Sequence, residues 1–510
     1  MTAISNLIFD HSEIETSRPQ QIIARTLLHL KLIQAYMPFP GFAYAIIISA
    51  FIIVSESSYS TSYEDHHFMR RLDNYQYNSL SSAAPTQPHL TATSGSRVYH
   101  VVAYGADPTG ESDSTEAIEK AISDAFQYPT NGHLMKGILD LGGSQLHLDG
   151  GTYKISRPLR LPDIAAGNFM IHGGSLRASE SFPSNSHLIE LRPSSPSVMY
   201  EYITLKDLML NCNFRGGGIA IINSLRTTVD NCYISHFTSE GIVIEGGHES
   251  YIRNSFIGQH INVGGDRGEK DFSGIGVKIM GNDNLLRDIV IYSAEIGVMV
   301  LGQANVIMGV HCYNKARGLG GIGIYVKEPG FTQTRIVNCY LDYTGVVVED
   351  PVQVHITGCF FLGNAVVVLK SIGGVISGLN IVDNMFSGDY TGVKIVELDE
   401  SKTPFTRIDQ VVVDRNNVRG MVVKTTVGRG STRANGTTWT VDFSSLLLFP
   451  NLIKNVVYSL EMEQSQGQGQ IQVFPNHVLT NLKHNRVTVQ SNVPAAATLH
   501  VQVHQTTYAL

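Results

Sequence analysis

The chain has 510 residues, of which 43% are hydrophobic and only 16% charged, with a net charge of −7 and no strongly basic stretch. That balance excludes a nucleic-acid-binding chain of the usual basic kind. The length allows a large buried core, and 48 glycines beside a single tryptophan suit many short strands and tight turns.

The first apolar segment is "FAYAIIISAFIIV", residues 42–54. It is short for a membrane span and fits the apolar region of a secretory signal. Small polar residues follow, so cleavage is expected near Ser57, and Met37 stands just before the run. Residues 1–57 are therefore read as an upstream extension plus a signal peptide, with a signal anchor as the alternative. Residues 58–97 are polar and carry no hydrophobic periodicity, which predicts a disordered linker or propeptide.

Further on, one phrase recurs: "TTVDNCYISHFTSEGIVIEGG" at 227–247, then "TRIVNCYLDYTGVVVEDP", "VHITGCFFLGNAVVVLKS" and "IVDNMFSGDYTGVKIVE". Each is an apolar alternation, a turn residue, then Gly and a Val/Ile alternation. Aligning the turn residues gives Asn211, Asn231, Asn254, Asp288, His311, Asn338, Gly358 and Asn384. The 20–34-residue spacing marks a solenoid, and period-two patterning without a helical period makes it a parallel β-helix. Cys212, Cys232, Cys312, Cys339 and Cys359 each follow that column, so a buried row of unpaired thiols is expected. The asparagines have a structural reading, since Asn tolerates the left-handed turn conformation.

In the second strand of each coil, alternate Ile and Val face inward. The outward positions then include Val243, Glu245, Lys278, Met299, Tyr325, Lys327, Val347 and Glu349, which predicts a polar groove on the middle coils. After Gly430 the repeat stops. "TWTVDFSS", "NVVYSLEM", "QIQVFP", "RVTVQS" and "TLHVQVHQ" read as strands of a small antiparallel domain over 431–510. The sequon Asn435-Gly436-Thr437 accords with secretion.

Ahead of the coils stands "VVAYGADPTGESDSTEAIEKAIS", residues 101–123. Ser112 or Asp113 can cap a helix running from Ser114, whose apolar face would plug the open end of the solenoid. This segment, with "LDGGTYKISRPLRLP" after it, resembles the N-terminal cap and first coil of pectate-lyase-like β-helix enzymes. The likeness runs from about Arg97 to Gly430 and most resembles the plant QUARTET-type polygalacturonases, divergent relatives of glycoside hydrolase family 28. It implies an all-β protein: a right-handed parallel β-helix over 98–430 with a capping helix and a small C-terminal β-domain. It also implies a secreted, monomeric cell-wall enzyme that hydrolyses α-1,4 bonds of pectin (homogalacturonan) during pollen tetrad separation. No cofactor or metal, no nucleic acid and no stable membrane association after signal cleavage are expected.

The family's Asn-Thr-Asp, Asp-Asp, Gly-His-Gly and Arg-Ile-Lys motifs are not intact. The nearest match is Thr238-Ser239-Glu240-Gly241-Ile242, where Glu240 stands in the column of a family acid, and Gly247-His248-Glu249 echoes the third motif weakly. Glycoside hydrolysis needs two carboxyl groups flanking the scissile bond. The candidates are Glu240, then Asp266 and Asp271 from the insertion "QHINVGGDRGEKDFSGIG", and Glu295 on the following coil. Arg267, Lys278 and Lys327 could meet the carboxylates of an anionic polymer, Tyr325 could stack on a sugar ring, and His248 could bind hydroxyls. A polysaccharide lyase and a non-catalytic wall-binding β-helix are the competing readings.

Overall fold

The computed structural model describes residues 97–195, 198–260, 273–313, 321–463 and 474–506. The expected extension, signal and linker lie outside the described residues, as do Asp266, Arg267 and Asp271. Among the described residues no helix is long and apolar enough to cross a membrane.

The coil around residue 231 shows how the sequence builds the fold. Thr228–Asp230 is extended, and Asn231 takes the left-handed conformation at φ 52°. The chain continues as Tyr233–Ser235 and then Glu240–Glu245. One left-handed residue turns the strand sharply, so consecutive strands lie on different walls of the solenoid. Each strand then pairs in parallel with its equivalent one coil on, as Thr228–Asp230 does with Tyr251–Arg253. Repetition yields a 24-stranded and a 10-stranded sheet, with a separate four-stranded sheet at the C-terminus.

The inward rows are stacks of branched apolar residues. Val229, Ile252, Leu286, Ile307, Ile336, Ile356, Ile381 and Val413 follow one another in register. All eight are fully buried. Burying each is worth about 1.5–3 kcal/mol over leaving it exposed, and this sum is the main force holding the coils together. Helix α1, Thr115–Gln127, closes one end with Ile118, Ala121, Ile122, Ala125 and Phe126 buried. The Thr115 N–H donates to Asp113 Oδ1 at 3.0 Å, so Asp113 supplies the start of the helix.

Two parts of the expected alignment are corrected. The left-handed column contains Asp207, Gly309 and Asp383, whereas Asn211, His311 and Asn384 were expected there. Asn211 ends the strand Tyr200–Asn211, and His311 begins the strand His311–Tyr313. Their coils place the turn residue a few positions earlier. All five cysteines are buried and free, but they do not form one row. Cys232, Cys339 and Cys359 directly follow left-handed residues, whereas Cys312 sits mid-strand, in register with Ile291 and Leu341. Cys212 follows a strand end, its N–H bonded to the Ser235 carbonyl.

In the C-terminal sheet, Arg486–His504 pairs antiparallel with Val427–Asp442, Asn455–Met462 and His477–Asn481. "RVTVQS" and "TLHVQVHQ" are therefore parts of one long strand, while most of "QIQVFP" lies outside the described residues. Trp439, Val441, Phe443, Val487, Val489 and Leu499 form a core of their own. Leu448 and Phe449 join the core of the solenoid.

Candidate active site

The ten-stranded sheet presents one continuous outward row. In register it reads Arg160, Glu190, Ala220, Val243, Lys278, Met299, Tyr325, Val347, Val368 and Glu397. Two polar clusters interrupt its apolar members.

Glu240 anchors the first. It begins its strand, with only 18% of its side chain exposed. Its Oε1 accepts a hydrogen bond from Lys278 Nζ at 3.1 Å, and its Oε2 faces His187 Nε2 across 3.6 Å. His187 starts the strand His187–Leu191, two coils before Glu240. The strand between carries Gly217, where a Cβ would lie 2.5 Å from both His187 Nε2 and the Glu240 carbonyl oxygen. The missing side chain at Gly217 is what lets the imidazole reach across a coil. Glu190 closes this end, accepting from Arg160 Nε at 2.9 Å and from the His187 N–H at 3.1 Å.

These neighbours set the charge of Glu240. The His187 imidazole, and the Lys278 ammonium with it, outweigh burial and hold the Glu240 carboxyl down at about 2. The acid neighbours that would have raised it, as a general acid requires, are not beside it among the described residues; a histidine and a lysine are. Glu240 is thus an ionised acceptor at any ordinary pH.

The second cluster lies two strands beyond Lys278 in the same row. Tyr325 Oη donates to Glu349 Oε1 at 2.5 Å, and Lys370 Nζ lies 3.4 Å from both the phenol oxygen and Glu349 Oε1. Lys327 and Lys370 each place Nζ 5.9 Å from the Tyr325 ring centre. Burial and Glu349 push the Tyr325 phenol up, so it keeps its proton. Glu349, expected to be open to the groove, is buried under Tyr325 and Lys370.

Glu295 is exposed and directly precedes Ile296, which is in register with Ile275 and through it with Glu240. Two strand spacings separate the two acids, about 9.6 Å along the stack. His248 is exposed beyond the far end of the Glu240 strand, about 16 Å or more away by the rise per residue. Its neighbour is Glu249, at 3.8 Å, so the structure does not bring it to Glu240. Of the expected residues, the fold gathers Glu240 with Lys278, and Tyr325 with Lys327. Sequence reasoning missed His187, Glu190 and Lys370. Extending the strand register back from "GIVIE" to "HLIEL" would have found the first two.

The family model for rhamnogalacturonase A/epimerase, pectate-lyase-like, matches residues 98–322. Polygalacturonase QRT3 of Arabidopsis thaliana is 58% identical over 429 residues, covering 84% of this chain and 88% of that protein. Among solved structures, ORF18 of Geobacillus virus E2 superposes with a TM-score of 0.51 at 14% identity, over 78% of each chain, which bears on the fold alone. Endo-xylogalacturonan hydrolase of Aspergillus tubingensis gives 0.43 at 11% identity, over 64% of this chain and 95% of its own. Identity of 58% to Polygalacturonase QRT3 across 84% of its length, on a capped parallel β-helix, places this chain in the QUARTET-type polygalacturonase family of pectate-lyase-like glycoside hydrolases.

Proposed function

We propose that the protein is a secreted polygalacturonase that hydrolyses α-1,4-galacturonosyl bonds of demethylated pectin in the plant cell wall, in the service of pollen tetrad separation. The observation that carries this reading is the outward row of the ten-stranded sheet, where Lys278, Lys327 and Lys370 flank Glu240 and Tyr325. Cations along a groove suit a polymer with one carboxylate per sugar, and Tyr325 offers a ring face beside them. The 58% identical relative bears the same activity in its name.

In this mechanism Glu240 is the base that activates water and Glu295 is the acid that protonates the leaving oxygen. Their two-coil backbone separation of about 9.6 Å is just above the inverting range of roughly 6.5–9.5 Å between carboxyl groups, so the two side chains must lean toward each other in this mechanism. Asp266 and Asp271 are the alternative partners for the acid role. A carboxylate held at about 2 is a weak base. A galacturonate carboxylate that takes its own share of Lys278 weakens that hold, so substrate binding itself makes Glu240 more basic. Arg267, Lys278 and Lys327 are assigned to substrate carboxylates, and His248 to hydroxyls at the outer end of the groove.

The test is incubation with polygalacturonate, following reducing ends and unsaturated product side by side. Reducing ends without unsaturated product are expected. Unsaturated product would establish a lyase, and retention on the polymer with neither product would leave only a binding protein.

A further inference from the structure

A second set of donors lies on the 24-stranded sheet, apart from the groove row of the ten-stranded one. His100, His147 and His172 occupy one rung position on three consecutive strands, His100 paired with His147 and His147 with His172. Neighbouring rings meet edge to face, with centroids 5.3 and 4.6 Å apart. Asp149 follows His147 by two residues in a left-handed turn, φ 49°, and its carboxylate meets the imidazoles. Its Oδ1 is 2.5 Å from His100 Nδ1 and 2.8 Å from His147 Nδ1. The three donor atoms lie within 4.8 Å of one another.

The Asp149 N–H is also 3.2 Å from His147 Nδ1 and donates to it. A ring nitrogen that accepts this proton carries none of its own. In that tautomer His147 turns the Nδ1 lone pair toward the carboxylate and can bind a cation, whereas with the proton on Nδ1 the same 2.8 Å contact is an imidazole–carboxylate hydrogen bond that a metal would replace. Backbone pairing fixes these groups on adjacent strands, and Gly173 leaves room for the ring, since a Cβ there would come within 3.1 Å of His147 Nε2. His172 is turned to another partner, its Nε2 lying 3.1 Å from Gln145 Oε1.

We propose that His100 Nδ1, His147 Nδ1 and Asp149 Oδ1 are three ligands of a divalent transition-metal site of the zinc class, with water as the fourth. The bound ion clips the strand Val98–His100, which among the described residues pairs along Ile138–His147, to the first coil of the solenoid. Two imidazoles and a carboxylate are a donor set for zinc, whereas calcium and magnesium take oxygen ligands. Zinc bonds of about 2.0–2.1 Å in tetrahedral array hold donors about 3.3 Å apart, so Asp149 Oδ1 must draw back from each ring nitrogen by less than ~1 Å. His100, with 52% of its side chain exposed, has room to do so. Spacing rules overlooked the site because His100 stands 47 residues before His147 and meets it only through strand pairing.

The experiment is calorimetric titration of the chelator-stripped full chain with zinc chloride at about pH 7.5, paired with thermal melts. Uptake of one equivalent and a Tm rise of several degrees are expected, with calcium producing neither. Zinc affinity should fall as the solution is acidified, because the ligands must bind deprotonated. His147→Gln and His100→Asn should each abolish uptake while keeping the native far-ultraviolet dichroism. His500→Gln, at another histidine facing a carboxylate, should bind as the parent does, as should Glu240→Gln, so the result stands apart from the hydrolase reading. No uptake by the parent chain, or one full equivalent in His147→Gln, overturns the site.

Discussion

Replacing Lys278 by Met removes the ammonium that touches Glu240 and keeps most of the side chain's length. In the parent protein the Glu240 carboxyl stands at about 2, against an ordinary value of 4.5, a difference of roughly 2.5 pH units. Burial opposes that difference, so His187 and Lys278 together supply more than the whole of it. Lys278 acts both as a 3.1 Å donor and as a charge, and losing it should raise the Glu240 value by about one pH unit or more. The sign follows directly. A carboxyl depressed in the folded state contributes stability that is full above its unfolded value and is lost as pH falls from about 4.5 through about 2. Lys278→Met should therefore lose part of the parent's stability advantage at neutral pH, and the two proteins should converge in strong acid. The same shift moves the acidic limb of kcat/KM upward by about one pH unit, because that limb reports the base of the free enzyme. The assay is kcat/KM on a short galacturonate oligomer across the acid range at fixed ionic strength, with a rise in KM expected from the lost cation. An acidic limb that stays in place would refute the electrostatic reasoning, whatever happened to the rate.

Three further outcomes follow from the same contacts. Glu240→Gln should lower kcat by about 10² to 10⁴ and, by giving up the ion pair with Lys278, lower Tm at neutral pH as well; undiminished turnover would move the base to another acid. Gly217→Ala places a methyl against the His187 ring and the Glu240 carbonyl oxygen, so it should cost about 1–3 kcal/mol in denaturant unfolding and reduce activity as well. Burial pushes the Cys232 thiol up to about 12 and the Cys212 and Cys312 thiols upward too. A thiol reagent at about pH 8 should therefore label the native protein slowly and the unfolded protein at all five cysteines; fast native labelling would contradict the buried positions.

The architecture was legible because its signal is local. A Gly followed by alternating Val and Ile, and a turn residue that accepts positive φ, are readable within one coil. Glu240, Lys278, Tyr325 and Lys327 could be named because each lies in or beside such a phrase. His187 could not, since "HLIEL" lacks the leading glycine and precedes the first Asn-Cys phrase. Its importance arises only because Gly217 leaves a gap between two strands that the sequence does not mark as neighbours. The turn column slipped at Asn211, His311 and Asn384. The turn residue stands two positions before the next strand in these coils, as Asp207 before Met209, Asn231 before Tyr233, Gly309 before His311 and Asp383 before Met385, so aligning on Asn and Cys instead of on that spacing produced the slip.

The continuous outward row makes the groove a ruler with fixed divisions. Lys278 and Tyr325 are separated by one coil, that of Met299, and every coil has the height of one strand spacing, about 4.8 Å. Gaining or losing a whole coil between them would move the second cluster by one such step while leaving both sets of contacts intact. On the proposed reading of the site, such a change would alter the reach of the groove in discrete increments without altering the contacts of Glu240.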